Sequence, residues 1–316
     1  MGAPPRARGN KYMGLINATL TRAKYRLATA CDELTFAIGN LPSRFTSVRL
    51  QADLPYGSEP GQKLDVYALP ELQNRPVVIF WYGGGWTDGR KEEYRFIGTA
   101  LAERGYVAVL PDYRKFPAVK FPTFVHDGAQ ALVWARRHAH EWGGDKSRIV
   151  VMGHSVGAHL AAMLAYQPDY LQSAGGRRKW IRAFVGLSGM YAPVPESEIF
   201  RQIIPPPYRS DDWQPLWHVD AEAPPSLLLH GLEDRLVNPQ ETIRLRNTLV
   251  RHGVHVEMEL YSGRSHADTV AAFSPVARRR LPALNSAARF IDRLRPHPTH
   301  LHAARSQITR NLHASA

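Results

Sequence analysis

The sequence predicts an α/β domain: a mostly parallel, doubly wound sheet with helices on both faces and a small cap insertion. Three observations carry this. Runs that are apolar throughout, "RPVVIFWYGGGW", "YVAVLPDYR", "RIVVM", "IRAFVGLSG" and "PSLLLHG", recur along the chain, and strands without a polar face belong to sheets buried on both sides. Helix-patterned segments separate them, as parallel strands require. The chain has 316 residues of ordinary composition, which suits one sizeable domain with a full core.

The elements follow in order. Residues 1–45 contain "LINATLTRAKYRLATACDELTFAI", apolar at helical spacing, and read as an amphipathic helical extension packed on the body. The main domain spans 46–295. It opens with "TSVRLQADL" and "QKLDVYAL", a strand pair joined by a turn at Pro55–Gly61. "EEYRFIGTALAERG" is a helix closed by Gly105, and "FPTFVHDGAQALVWARRHAHEWG" a longer one. "SVGAHLAAMLAY" and "PQETIRLRNTLVRHG" are helices too, the second preceding a last strand, "HVEMELY". Residues 191–224, rich in proline and aromatics between two strands, are placed as a cap. The His- and Arg-rich end, 296–316, reads as a disordered basic tail.

Composition narrows the class. A single cysteine, Cys31, rules out an intrachain disulfide framework and a cysteine-rich zinc site. No stretch approaches a membrane span and no signal-peptide pattern opens the chain, so the expected compartment is the cytoplasm. The formal charge of +12 resides in the ends: residues 1–50 carry +6 and 275–316 carry +7, which leaves −1 for the middle. A neutral core gives no footprint for nucleic acid, and solvated basic tails are the simpler reading.

The chemistry concentrates where "RIVVM" meets "SVGAHLAAMLAY". Gly153, Ser155 and Gly157 form G-x-S-x-G between a strand and a helix, a turn that strains the serine backbone and lifts its hydroxyl above the strand ends. A serine near neutral pH attacks carbonyls only when a base takes its proton and an acid holds that base in the right tautomer. Downstream, "PSLLLHGLEDRLV" offers Glu233 and Asp234 after one strand, and "VEMELYSGRSHADTV" offers His266 after another. His154, His159 and His230 read as structural residues of the elbow, its helix and a strand end. Gly83, Gly84 and Gly85 follow an early strand; glycines there can aim N–H groups at a developing oxyanion, with the amide of Val156 as a further donor. A phosphate loop is the rival, but neither G-K-[ST] nor G-x-G-x-x-G is present.

Taken together, "PVVIFWYGGGWTDGRK", "LAERGYVAVLPDYR", "GHSVGAHLAA", "LLLHGLEDRLVNP" and "YSGRSHA" resemble the α/β-hydrolase superfamily over roughly residues 45–295. More narrowly they resemble its esterase/lipase branch with an HGGGW oxyanion motif, which includes carboxylesterases, carbohydrate esterases, prenylcysteine methylesterases and kynurenine formamidases. The resemblance implies the α/β-hydrolase fold, Ser155 as nucleophile, Asp234 as orienting acid and His266 as base. It implies an oxyanion hole from Gly83, Gly84 and Val156. One position departs: Tyr82 stands where the branch has histidine. Tyr82, Trp86, His154, Trp213 and Trp217 are the expected substrate pocket.

The implied reaction is hydrolysis of esters of small to medium acyl groups through an acyl-enzyme, with no cofactor and no metal. The partner expected is a small-molecule ester; nucleic acid and a transmembrane segment are not expected, and homo-oligomerisation stays open. A formamidase is the alternative, and a non-catalytic binding protein on the same fold is a further one.

Overall fold

The computed structural model describes residues 40, 47–193 and 197–294. The helical extension expected over 1–45, Asn40 apart, and the tail expected over 296–316 therefore lie outside the described residues. The strands are β1 (Arg49–Pro55), β2 (Lys63–Ala68), β3 (Arg75–Trp81), β4 (Val107–Pro111), β5 (Gly144–His154), β6 (Ile181–Leu187), β7 (Ser226–Gly231) and β8 (Val256–Tyr261). They form one eight-stranded sheet in the order β1-β2-β4-β3-β5-β6-β7-β8. β1 pairs antiparallel with β2 and β2 with β4; every pairing from β4 through β3 to β8 is parallel.

Burial follows from residue type. Along β3, Pro76 to Trp81 are all buried, and because alternate side chains point to opposite faces, both faces of the sheet centre are covered. β1, carrying Arg49, Gln51 and Asp53, is an exposed edge, and polar residues there discourage pairing with another chain. The expected hairpin, turn and strands all form.

The helices are α1 (Arg95–Glu103), α2 (Thr123–His138), α3 (Val156–Tyr166), α4 (Pro168–Ser173), α5 (Glu198–Ile203), α6 (Ser210–Trp213), α7 (Pro239–Arg251), α8 (Asp268–Ala271) and α9 (Ala283–Asp292). α3 is buried along its whole length; its alanines let it lie close to the sheet. α1 starts later than the sequence suggests, since Lys91–Tyr94 form a 3-10 turn first, and Gly105 closes it with φ +80°. α9 was not expected, because its apolar residues follow a run of arginines with no strand after it. The 191–224 segment holds α5, α6 and the 3-10 turn Pro215–His218, anchored where Phe121 N donates to Ile203 O at 3.0 Å. No helix among the described residues is long and apolar enough to cross a membrane.

The strand order positions the site. From β3 the chain steps to one side for β4 and then crosses to the other for β5. This reversal opens a crevice beyond the carboxyl ends of β3 and β5, the place where open α/β sheets take ligands. The Gly83 loop leaves β3 there, and Ser155 follows β5.

Candidate active site

Ser155 sits at φ +56°, ψ −123°, a conformation costly for any residue with a Cβ. Close packing explains why glycines flank it: a Cβ on Gly153 would overlap the carbonyl of Gly157, and one on Gly157 would overlap the carbonyls of Trp81 and Tyr82. The strained turn is locked in place by neighbouring backbone. Ser155 N donates to Leu187 O at 3.0 Å, while the Ser155 carbonyl accepts from Ala158 and His159 at 3.1 and 3.2 Å, starting α3.

The glycine loop lies against this elbow. A Cβ on Gly83 would be 3.1 Å from both Ser155 Cβ and His154 Nδ1. Gly84 and Gly85 take φ +120° and +62°, and the Gly84 carbonyl accepts from Thr87 and Asp88 in a tight turn. The amides of Gly83, Gly84 and Val156 make none of the turn and loop hydrogen bonds among the described residues.

Two loops bring in the other polar groups. His266, after β8, places Nδ1 2.7 Å from Asp234 Oδ2. Asp234, after β7, is held by four donors: Oδ1 accepts from Leu236 N and Val237 N, each at 2.9 Å, and Oδ2 accepts from His266 and from His230 Nε2, the latter at 2.9 Å. Burial alone would raise the Asp234 carboxyl, but the hydrogen bonds from His230 and His266 outweigh it and hold the group well below the usual carboxylate range. Glu233 is exposed, and its backbone N–H donates to Arg264 O at 2.9 Å, tying the two loops together.

His154 links the Ser155 and His266 loops. Its Nε2 donates to the His266 carbonyl at 3.2 Å, and the two rings lie 4.7 Å apart. His154 and His159 are both fully buried in the body, and burial pushes them down, to about 3 and about 4. His154 is therefore neutral beside His266 and adds no positive charge to it. Ser155 Oγ and His266 share no hydrogen bond among the described residues; catalytic hydrogen bonds of this kind often tighten only in the substrate complex.

The expected pocket residues separate into three groups. Tyr82, the residue after β3, is fully buried, with its ring packed against Gly89. The ring stacks on Tyr113 at 4.8 Å and Tyr94 at 5.6 Å, and its hydroxyl donates to Asp112 Oδ1 at 2.6 Å and accepts from Lys115 Nζ at 3.0 Å. Trp86 and Trp213 join an aromatic cluster beside α3. The Trp86 ring lies 5.4 Å from Phe124, 5.0 Å from His159 and 5.7 Å from Phe200, and Phe200 lies 5.2 Å from Trp213, whose carbonyl accepts from His159 Nε2 at 2.7 Å. Trp217 is 61 % exposed, held outward by its bond to Gln214, and belongs to the surface. Phe200, Phe124, Asp112 and Lys115 escaped the sequence reading, since no motif marks them. His230 did carry a signal, four residues before Asp234.

Comparison with known proteins adds to this geometry. The prolyl oligopeptidase family model matches residues 125–294, and the BD-FAE model matches 64–179. Isoprenylcysteine alpha-carbonyl methylesterase ICME of Arabidopsis thaliana is 29% identical over 286 residues, covering 82% of this chain and 66% of its own length. Esterase LipC of Mycobacterium tuberculosis is 32% identical over 210 residues, covering 60% of this chain and 52% of its own. The chain thus spans about half to two thirds of the length of such relatives. Among solved structures, esterase B from Lactobacillus rhamnosis superposes with a TM-score of 0.74 at 20% identity, covering 88% of this chain and 96% of that one. Thermogutta terrifontis esterase 2 gives 0.66 at 24%, covering 81% and 99%. The HGGGW signature itself is not met, since Tyr82 stands at its first position. Sheet, elbow and family match agree: the chain belongs to the prolyl oligopeptidase family of α/β-hydrolases.

Proposed function

We propose that this chain is a carboxylic ester hydrolase acting on esters of small to medium acyl groups, with Ser155, His266 and Asp234 as its triad. The observation that carries the reading is the pairing of a strained, glycine-flanked serine with a His–Asp hydrogen bond of 2.7 Å supplied by two distant loops. The esterase names of its relatives support the same class.

In the first step His266 Nε2 takes the proton of Ser155 as Oγ bonds to the ester carbonyl carbon. Asp234, kept ionised by its four donors, fixes the tautomer with Nδ1–H and stabilises the imidazolium. Charge moves to the carbonyl oxygen, where the amides of Gly83, Gly84 and Val156 meet it. The imidazolium then gives its proton to the departing alcohol as the carbon–oxygen bond breaks, leaving an acyl-Ser155. Water repeats the sequence: His266 takes its proton, hydroxide adds to the acyl carbon, and Ser155 leaves with the proton returned.

The aromatic cluster of Trp86, Phe124, Phe200 and Trp213 fills the space beside the first turn of α3, within one turn of Ser155, and so favours a short acyl group. The 191–224 segment, which supplies Phe200 and Trp213, serves as the cap. Wild type should hydrolyse p-nitrophenyl acetate and butyrate faster than the octanoate. Ser155→Ala should lower kcat/KM by roughly 10³-fold or more; hydrolysis that survives this substitution would refute the assignment.

A further inference from the structure

His230 lies at the end of β7 with no solvent exposure, and the reaction above uses it only as one of the four donors that keep Asp234 ionised. Its Nε2 is 2.9 Å from Asp234 Oδ2, the same oxygen that accepts from His266. Nε2 also lies 3.2 Å from the Val237 carbonyl. Two acceptors facing one nitrogen require that Nε2 carry a hydrogen. On the other side of the ring, Nδ1 is 2.6 Å from Thr242 Oγ1, in the first turns of α7. In the neutral imidazole, the Thr242 hydroxyl donates to Nδ1 and thereby selects the Nε2–H tautomer.

We propose that His230 is a positioning residue that sets the basicity of His266 by sharing the carboxylate oxygen between them. This rests on the triad reading above. A donor on Oδ2 stabilises the carboxylate whether or not His266 is protonated, and it draws off electron density that would otherwise stabilise the imidazolium. With His230 in place, Asp234 holds the His266 proton less tightly; without it, the imidazole becomes more basic. Other ionisable groups around this trio are few. His154 faces His266 from the elbow and is neutral. Glu241 neighbours Thr242 on α7, and its carboxylate accepts from Tyr191 N and Ala192 N at 2.7 and 3.0 Å. Asp268, at the start of α8, is tied to Ser265. None of them donates to Asp234 Oδ2.

The test is the pH profile of kcat/KM on p-nitrophenyl butyrate, whose acidic limb reports His266 in the free enzyme. His230→Leu removes the donor and should move that limb upward by about half a pH unit or more, roughly a threefold change in the protonation equilibrium. His230→Gln keeps an N–H at the Nε2 position and should return the limb close to wild type. Thr242→Val weakens the donor without removing it and should give a smaller upward shift. It carries the test by itself if a thermal melt shows that His230→Leu does not fold. A limb unmoved in the folded variants would overturn the proposal. Ser155→Ala, assayed alongside, separates the two failures: if it retains wild-type activity the triad reading falls, whereas an inert Ser155→Ala with an unmoved limb defeats the His230 inference alone.

Discussion

At Tyr82 the chain replaces a histidine of the resembled motif with a larger side chain, and the surroundings are built for it. Tyr113 and Tyr94 stack on either side of the ring, and the Tyr113 hydroxyl donates to the Tyr82 carbonyl at 3.0 Å. Asp112 Oδ1 receives both the Tyr82 hydroxyl and the Lys91 amide, so the residue after β3 and the start of the 3-10 turn that follows the glycine loop share one anchor. Tyr82→Phe should remove about 1–2 kcal/mol of stability by leaving Asp112 and Lys115 short of a partner, and should lower kcat more than it raises KM if the buried ring supports the proposed oxyanion loop. Urea titration and steady-state kinetics check the two halves separately. Ser155, Asp234 and His266, the proposed triad, could be picked out in the sequence, since each follows a strand with a recognisable neighbourhood. How the expected pocket residues Tyr82, Trp86, His154, Trp213 and Trp217 divide was not legible, because nothing local to a tryptophan says whether its ring turns into a cluster, as Trp213 does, or toward water, as Trp217 does.

Among the elements, α3 and the segment between β6 and β7 set the acyl side of the proposed site. His159, one turn along α3 from Ser155, bonds the Trp213 carbonyl, so the helix that starts at the proposed nucleophile also fixes α6. Phe200, half-buried on α5, closes the same cluster. Phe200→Ala should raise the rate on p-nitrophenyl octanoate relative to acetate by several-fold, with a modest stability cost because the ring is already partly exposed; an unchanged ratio would place the acyl group elsewhere. The parallel strands and the long helices were legible from apolar runs and 3.6-residue spacing. α9 was missed because no strand follows it, although its spacing is helical, with Leu284, Ala287, Ala288 and Ile291 buried; the hydroxyl of Tyr106, just before β4, bonds Asp292 Oδ1 at 2.9 Å.

For the molecule as a whole, buried neutral histidines make stability depend on pH. His154 and His159 have folded values pushed down to about 3 and about 4, below the ordinary 6.5. The unfolded chain therefore binds more protons between about 3 and 6.5, and stability falls as pH drops through that window. Asp234, also depressed, adds to the loss at the acid end: its contribution is present above the unfolded carboxylate value and disappears as pH falls toward its folded one. At pH 4.5, His154 alone should weaken the fold by about 2–3 kcal/mol relative to neutral pH. Denaturant titrations from pH 7.5 to 4.5 should show this decline, and His154→Gln should flatten it.

The central claim is that Ser155 is the nucleophile activated by His266 and Asp234. A fluorophosphonate with a mass tag, followed by peptide mapping, tests it most directly. The account predicts one adduct, on the peptide containing Ser155, formed rapidly in wild type, at least a hundredfold more slowly in Asp234→Asn, and absent in Ser155→Ala. An adduct on another residue, or equal labelling of Asp234→Asn, would contradict it.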